Sequence, residues 1–234
     1  LDKEHDVGLR QQKILAADEK GTVAEEGARL HAEWQGKRSQ SIASGSKPSL
    51  RVRTVTEAKK DPTLLAEATS TEAVALESTD ASRTGRPHGK RFGVLVHAIL
   101  AVVPLAGDPR DVEEVAHAQA RLMGATAEEI TAAVSSVLAA LRHPILVRAH
   151  AAGNECRRES QVSLKLEDES MLEGVIDLAF REVVAGVPRW TVVDFKTDVE
   201  IASRRPEYEG QLNMYARAVS AATGESAVAV LLSV

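Results

Sequence analysis

Two aspartates in apolar surroundings, with a lysine two residues beyond the second, are the groups of this chain best placed to do chemistry. Asp177 sits in Val175-Ile176-Asp177-Leu178, and Asp194 in Val192-Val193-Asp194-Phe195-Lys196. A carboxylate among β-branched neighbours is costly to bury unless it is paired or bound to a cation. Both stretches read as strands, where successive side chains alternate faces, so Asp194 and Lys196 share a face while Phe195 points into the opposite layer. Two carboxylates and an ammonium converging on one sheet face offer a hard-metal site with a basic neighbour. Magnesium suits such a site, because it takes oxygen donors in a near-octahedral shell and keeps several waters. Lys196, beside two acids, is an electrostatic and positioning group rather than a free general base: it orients an attacking water and stabilises charge on a phosphate. The chemistry is that of metal-dependent phosphodiester cleavage.

The elements that must position these groups follow from periodicity and punctuation. Three helices are predicted at about 91–105, 111–123 after Asp108-Pro109, and 126–141, where Thr126 and Glu129 form a capping box and Pro144 ends the run. Strands follow at about 157–167, 171–181 and 190–197. A long amphipathic helix at about 205–222, with Gly224 at its C-cap, leads to a closing strand at about 226–234. Helix, three strands, helix and strand make an α/β layer architecture. Gln211 and Tyr215 are four apart, so they share one face of the long helix. His97 falls mid-helix among Val94, Leu95, Ile99 and Leu100, an environment that by itself fits a core histidine. Glu159 falls at the start of the first of these strands, with Glu155 and Glu167 as neighbouring alternatives. His117, His143 and His150 read as surface positions.

The N-terminal third is less structured in its pattern. Residues about 8–42 are polar and helix-prone, with Leu9, Ile14, Leu15, Val23, Ala28, Leu30 and Trp34 at helical spacing. A helical segment over 1–48 is expected, then a partly disordered linker over 49–90, then a domain over 91–234. Arg51, Arg53, Lys59 and Lys60 make a mildly basic, strand-like stretch within that linker. Residues 66–90 are rich in Ala, Ser, Thr and Glu and end in Arg83-Thr84-Gly85-Arg86-Pro87-His88-Gly89-Lys90-Arg91. They read as a mobile, solvated segment whose basic end is available to a nucleic-acid backbone. The glycine spacing there does not match G-x-x-x-x-G-K-[ST], so no ATP site is expected in this chain.

Composition sets limits on partners and cofactors. At 234 residues with 44% apolar content, the chain can bury a substantial core in one or two domains. Aromatics are only 3%, and alanine supplies much of the apolar share, which favours helices. A formal charge of −5 gives no global attraction to nucleic acid, so DNA affinity must come from local patches and metal ions. Cys156 is the single cysteine, which excludes a structural disulfide, a cysteine-rich zinc site and a four-cysteine iron–sulfur cluster. No signal peptide and no run of about 18 apolar residues is present, so a cytoplasmic setting away from membranes is expected. The start at Leu1 and the end on an apolar strand read as cut ends of a longer polypeptide.

In order along the chain, Gly93-x-x-x-His97, Glu159, Gly174-Val175-Ile176-Asp177, Asp194-Phe195-Lys196-Thr197 and Gln211-x-x-x-Tyr215 resemble the motifs of the PD-(D/E)XK nucleases. Within them they resemble the nuclease domain of bacterial helicase–nucleases of the RecB/AddA type. The resemblance covers about residues 88–234 and implies a restriction-endonuclease-like core, a mixed central sheet flanked by helices. It implies that His97, Asp177, Asp194 and the Phe195 carbonyl hold Mg2+, for which Mn2+ can substitute, and that Glu159 assists that shell. Lys196 then aligns the attacking water, and Gln211 and Tyr215 place the DNA. The family often carries tyrosine where Phe195 stands, so the backbone contact is kept and a hydroxyl is lost. The resemblance further implies single-stranded DNA ends as substrate, a helicase domain on the same polypeptide, a second helicase–nuclease subunit, and DNA end processing for recombinational repair in the bacterial cytoplasm. A catalytically inactive DNA-binding module of the same fold is the alternative, and a motor-free nuclease of the restriction or phage type is a third.

Overall fold

A computed structural model of the chain describes residues 20–58, 73–198 and 201–234. Two compact units divide it, Leu1–Ser49 and Leu50–Val234. In the first, helix α1 (Thr22–Gly45) buries no residue. Its exposed face is laced with i,i+3 and i,i+4 ion pairs from Arg29 to Glu26 and Glu33 and from Lys37 to Glu33. Leu9, Ile14 and Leu15, expected on a helix, lie outside the described residues.

The second unit is a three-layer α/β fold. Its elements are β1 (Val52–Thr54), α2 (Val55–Ala58), β2 (Ala75–Ser78), α3 (Lys90–Val102), α4 (Pro109–Met123), α5 (Ala127–Arg142), α6 (Pro144–Ala151), β3 (Cys156–Lys165), β4 (Met171–Val184), β5 (Val187–Lys196), α7 (Ile201–Thr223) and β6 (Ser226–Ser233). The strand order is β1-β4-β5-β6-β2, with β3 pairing β4. β4 runs antiparallel to β3 and β5, whereas β5–β6, β6–β2 and β1–β4 are parallel. The mixed central sheet flanked by helices is the architecture the sequence predicts.

Helix ends are set locally. Pro104 holds Val103 in an extended conformation, so α3 stops at Val102, three residues before the expected end. Asp108 caps α4 with a full capping box through Asp111, and Pro109 occupies its first turn, so this helix starts two residues earlier than expected. Thr126 and Glu129 form the predicted box on α5. Pro144 ends that helix and also opens α6, which was not expected; the His143 ring accepts the Ile145 N–H as its cap. His143 is therefore not a surface histidine: it is half-buried and lies 3.6 Å from Glu77 of β2. β4 and β5 run longer than predicted because a two-residue turn, Ala185-Gly186, joins them, both residues at positive φ.

The stretch 49–90, expected as a linker, contributes β1 and β2 to the sheet and α2 to one of its faces. β2 pairs in parallel with β6, Ala75 opposite Val230 and Ser78 opposite Ser233. Arg83 donates to Ser233 Oγ, and Arg86 donates to the carbonyls of Thr197 and Val234 and to Ser136 Oγ while stacking over Phe92. The basic end of this stretch is thus largely engaged in closing the ends of β5 and β6. β1 falls within the stretch read as strand-like, whereas β2 is a short parallel edge strand that needs no regular apolar alternation, which is why composition alone read it as linker. Lys59 and Lys60 lie outside the described residues.

Two cores sandwich the sheet. Helices α3–α6 pack on one face against Leu178, Phe180, Val193, Phe195, Val230 and Leu232. Helices α2 and α7 cover the other face over Leu172, Ile176, Ala179, Val192, Ala229 and Leu231. Along β5 and β6 this is strict period-two alternation. Along β4 it is not, because Ile176 and Leu178 share parity yet enter opposite cores.

Candidate active site

The break in alternation coincides with the acidic residues. On β3, Arg158 donates to the carbonyls of Leu100 and Val103 on the α3 side, while Leu164 packs on the α7 side. Between them Glu159 has φ 48, a left-handed conformation that costs a non-glycine residue about 1–3 kcal/mol. The β3–β4 ladder pairs Arg158 with Leu178 and Ser160 with Ile176 but leaves out the rung between, Glu159 and Asp177. Both strands therefore change faces at that rung.

The other edge of β4 opens at the same level. β1 pairs with Met171 to Glu173, and β5 pairs from Leu178 onward, leaving residues 174–177 without a ladder partner on that side. The β4–β5 ladder ends at Leu178 and Val193, one rung short of Asp177 and Asp194. The Asp177 carboxylate takes over that function, accepting the Phe195 N–H at 2.8 Å. Asp177 and Asp194 thus face one another across the mouth of a split in the sheet.

Groups from both helical layers reach this split. From the α3 side, His97 Nδ1 lies 3.5 Å from Asp177 Oδ1, and its ring meets Phe195 edge-on at 6.2 Å. Gly93 is four residues before His97, and a Cβ there would lie 2.9 Å from Thr197 Oγ1. That close approach seats α3 on the end of β5. A cavity of about 740 Å³ opens beside it, lined among others by Gly93, Val94, His97, Glu159, Thr197 and Asp198. From the α7 side, Gln211 Nε2 donates to Asp194 Oδ1 at 3.2 Å and approaches the Tyr215 hydroxyl at 3.4 Å. A Cβ on Gly174 would lie 2.5 Å from Tyr215 Cε1, so only glycine lets the tyrosine ring lie against β4.

Asp194 and Lys196 share a face, as the alternation predicts. Lys196 Nζ lies 2.5 Å from Asp194 Oδ2, an ionic contact outside aligned hydrogen-bond geometry, and Oδ2 has no other hydrogen-bond donor. Asp194 is 4% exposed. Burial, and then the neighbouring Asp177 charge, push its carboxyl up to about 6 despite Lys196. Burial and Asp177 raise Glu159 in the same way. His97 is also raised: burial opposes its charged form, but the hydrogen bond and charge of Asp177 outweigh it. Burial drives the Tyr215 phenol up to about 12, so it stays protonated.

The residues fit a divalent cation by donor chemistry. Hard oxygen donors converge, and the burial and Asp177 repulsion that raise Asp194 are what a cation would relieve. Among the described residues no three His, Cys, Asp or Glu side chains are already drawn up as a coordination shell. Asp194 is instead held by Lys196 and Gln211, and Asp177 by the Phe195 N–H. All the sequence-predicted candidates, His97, Glu159, Asp177, Asp194, Phe195, Lys196, Gln211 and Tyr215, border the split in the sheet. Sequence reasoning missed Tyr208, whose ring lies 5.0 Å from Lys196 Nζ and whose hydroxyl donates to Asp198. Its signal was present: Tyr208, Gln211 and Tyr215 follow the i, i+3, i+7 spacing of one helix face.

A mixed central sheet flanked by helices on both faces defines a class by its fold, the restriction-endonuclease-like α/β proteins. The chain belongs to the PD-(D/E)XK nuclease superfamily, whose model matches residues 70–234. No curated protein matches the chain. Membership implies phosphodiester hydrolysis with DNA as substrate, and superfamily members generally use divalent metal ions. Among the described residues no single helix is long and apolar enough to cross a membrane.

Proposed function

We propose that this chain is a Mg2+-dependent DNA nuclease module of the RecB/AddA type, acting on single-stranded ends delivered by a helicase on the same polypeptide. The observation that carries the proposal is the meeting of Asp177, Asp194 and Lys196 where β4 and β5 part, which sets two carboxylates and an ammonium beside one another. Asp177, Asp194, His97 and the Phe195 carbonyl would hold the ion, with Glu159 assisting. When bound, the ion polarises the scissile phosphate and makes water a better nucleophile near neutral pH. Lys196 orients that water and stabilises negative charge as it develops on the phosphate. Gln211 keeps Asp194 aimed into the split, and Tyr215 fixes Gln211 and the adjoining strand. The five ordered motifs support the helicase–nuclease context and its role, with a second subunit, in DNA end processing.

The test is Mg2+-dependent degradation of end-labelled single-stranded DNA by the native chain, Asp194→Ala and Lys196→Ala, with folding checked by circular dichroism. Each substitution is expected to cost at least about 10²-fold in rate, the scale of losing one transition-state electrostatic group. Mn2+ is expected to raise the melting temperature of the native chain and not of Asp177→Ala or Asp194→Ala. Equal cleavage by all three proteins would overturn the site. Tight DNA binding with no cleavage by the native chain would favour the inactive binding module.

A further inference from the structure

We propose that Tyr208 is a positioning residue for Lys196, its aromatic face sharing the ammonium with Asp194 so that the lysine is fixed in one place. The role rests on the nuclease reading above.

Lys196 stands between two attractions. On one side Asp194 Oδ2 lies 2.5 Å from Nζ. On the other the Tyr208 ring centroid lies 5.0 Å away, within the range at which the quadrupole of an aromatic face attracts a cation. An ammonium bound to a carboxylate alone is neutralised by a formal charge and loses reach toward a water or phosphate. A ring attracts the same ammonium without a formal charge and without a lone-pair acceptor, so it competes less than a carboxylate with a water or phosphate oxygen for the donor hydrogens. The ring therefore shares the lysine with Asp194 and leaves N–H groups for the reacting atoms.

The tyrosine is built to stay in place and to stay neutral. It is 3% exposed, packs in the core beneath α7, and donates its hydroxyl to Asp198, two residues beyond Lys196. Burial, then the bond to Asp198, raise the phenol well above its ordinary value, so the ring carries no charge that would capture the lysine outright. Arg204 lies 5.1 Å from the same ring and 3.7 Å from Asp198, which ties the start of α7 to the end of β5. Tyr208 and Gln211 thus act on the two partners of one ion pair from a single helix face: the tyrosine on Lys196, the glutamine on Asp194.

The experiment replaces Tyr208 by Phe, by Leu, and by a series of increasingly fluorinated phenylalanines that keep the ring's shape and weaken its quadrupole. Single-turnover and steady-state cleavage of single-stranded DNA in Mg2+ are measured, with the ring-current shift of the Lys196 ε-methylene protons read by NMR. Tyr208→Phe is expected to keep kcat within about threefold, and Tyr208→Leu to lower it about 2- to 30-fold with KM nearly unchanged. Rates should fall steadily along the fluorinated series, and the ring-current shift should vanish in Tyr208→Leu. A packing role alone would leave the fluorinated series flat. A flat series in an active enzyme, or an unshifted Lys196 in the native chain, overturns the proposal and leaves the nuclease reading standing. A native chain that binds DNA but never cleaves it overturns the nuclease reading, and this role with it.

Discussion

Replacing Gly174 by alanine tests how the site is assembled, because the new methyl has nowhere to go. An ideal Cβ at this position would lie 2.5 Å from Tyr215 Cε1, 2.8 Å from Val55 Cγ2 and 3.1 Å from the Tyr215 hydroxyl. Ordinary carbon–carbon contacts begin near about 3.5 Å, so the ring or the strand must shift by about an ångström. Tyr215 cannot shift freely: it is 5% exposed and stands 3.4 Å from Gln211 Nε2. Overpacking of this kind costs about 1–3 kcal/mol, while the narrower unfolded ensemble of alanine returns about 0.4–1 kcal/mol. The net expectation is about 1–2 kcal/mol of destabilisation, or about 3–6 °C in melting temperature for a unit of this size. Urea unfolding of Gly174→Ala, Tyr215→Leu and the double variant measures it as a cycle. The alanine substitution should cost about 1 kcal/mol less when Tyr215 is already leucine, since the main obstacle is gone. Activity should fall in Gly174→Ala beyond the stability effect, because displacing Tyr215 also moves Gln211 away from Asp194. An alanine variant as stable and as active as the native chain, with no coupling to position 215, would refute the reasoning.

Other perturbations probe the frame around the site. Arg86→Ala removes donors to the carbonyls of Thr197 and Val234 and to Ser136 Oγ, and should lower stability in urea by about 2 kcal/mol or more. Thr126→Ala removes the side-chain half of the capping box on α5 and should cost about 1 kcal/mol, with faster amide exchange confined to the first turn of that helix. Glu182 has its carboxyl held below the usual range: burial opposes this, but Thr191, Arg148 and Arg189 together outweigh it. A depressed carboxylate stabilises the fold above its unfolded value of 4.5 and loses that contribution as pH falls through the lower folded value. Glu182→Gln should therefore be less stable than the native chain at pH 7, and the gap should narrow below about pH 4. A gap independent of pH would sink that account.

Much of the site's chemistry was legible before any fold. Residue types alone name the donors, and period-two alternation in β5 correctly sets Asp194 and Lys196 on one face and Phe195 on the other. Caps at Thr126 and Gly224 are likewise local events, decided by a few neighbouring side chains and backbone angles. Asp177 and Glu159 were different. Their strands invert at the rung where Glu159 turns left-handed, so counting parity along β3 or β4 gives the wrong face on one side of it. That inversion belongs to the pairing of two strands and to the gap between β1 and β5, neither of which a single strand's pattern contains. The edge strand β2, and the place of the strand-like stretch at β1 in the sheet, were hidden for a related reason, since their hydrogen-bond partners lie more than a hundred residues away in sequence. Sequence by itself determined which groups are candidates for the chemistry and the local ends of their helices. Only the tertiary structure decided where the sheet splits beside them, why Gly174 and Gly93 must lack side chains, and that Tyr208 stands against Lys196. These are close approaches between distant segments, and no local periodicity encodes them.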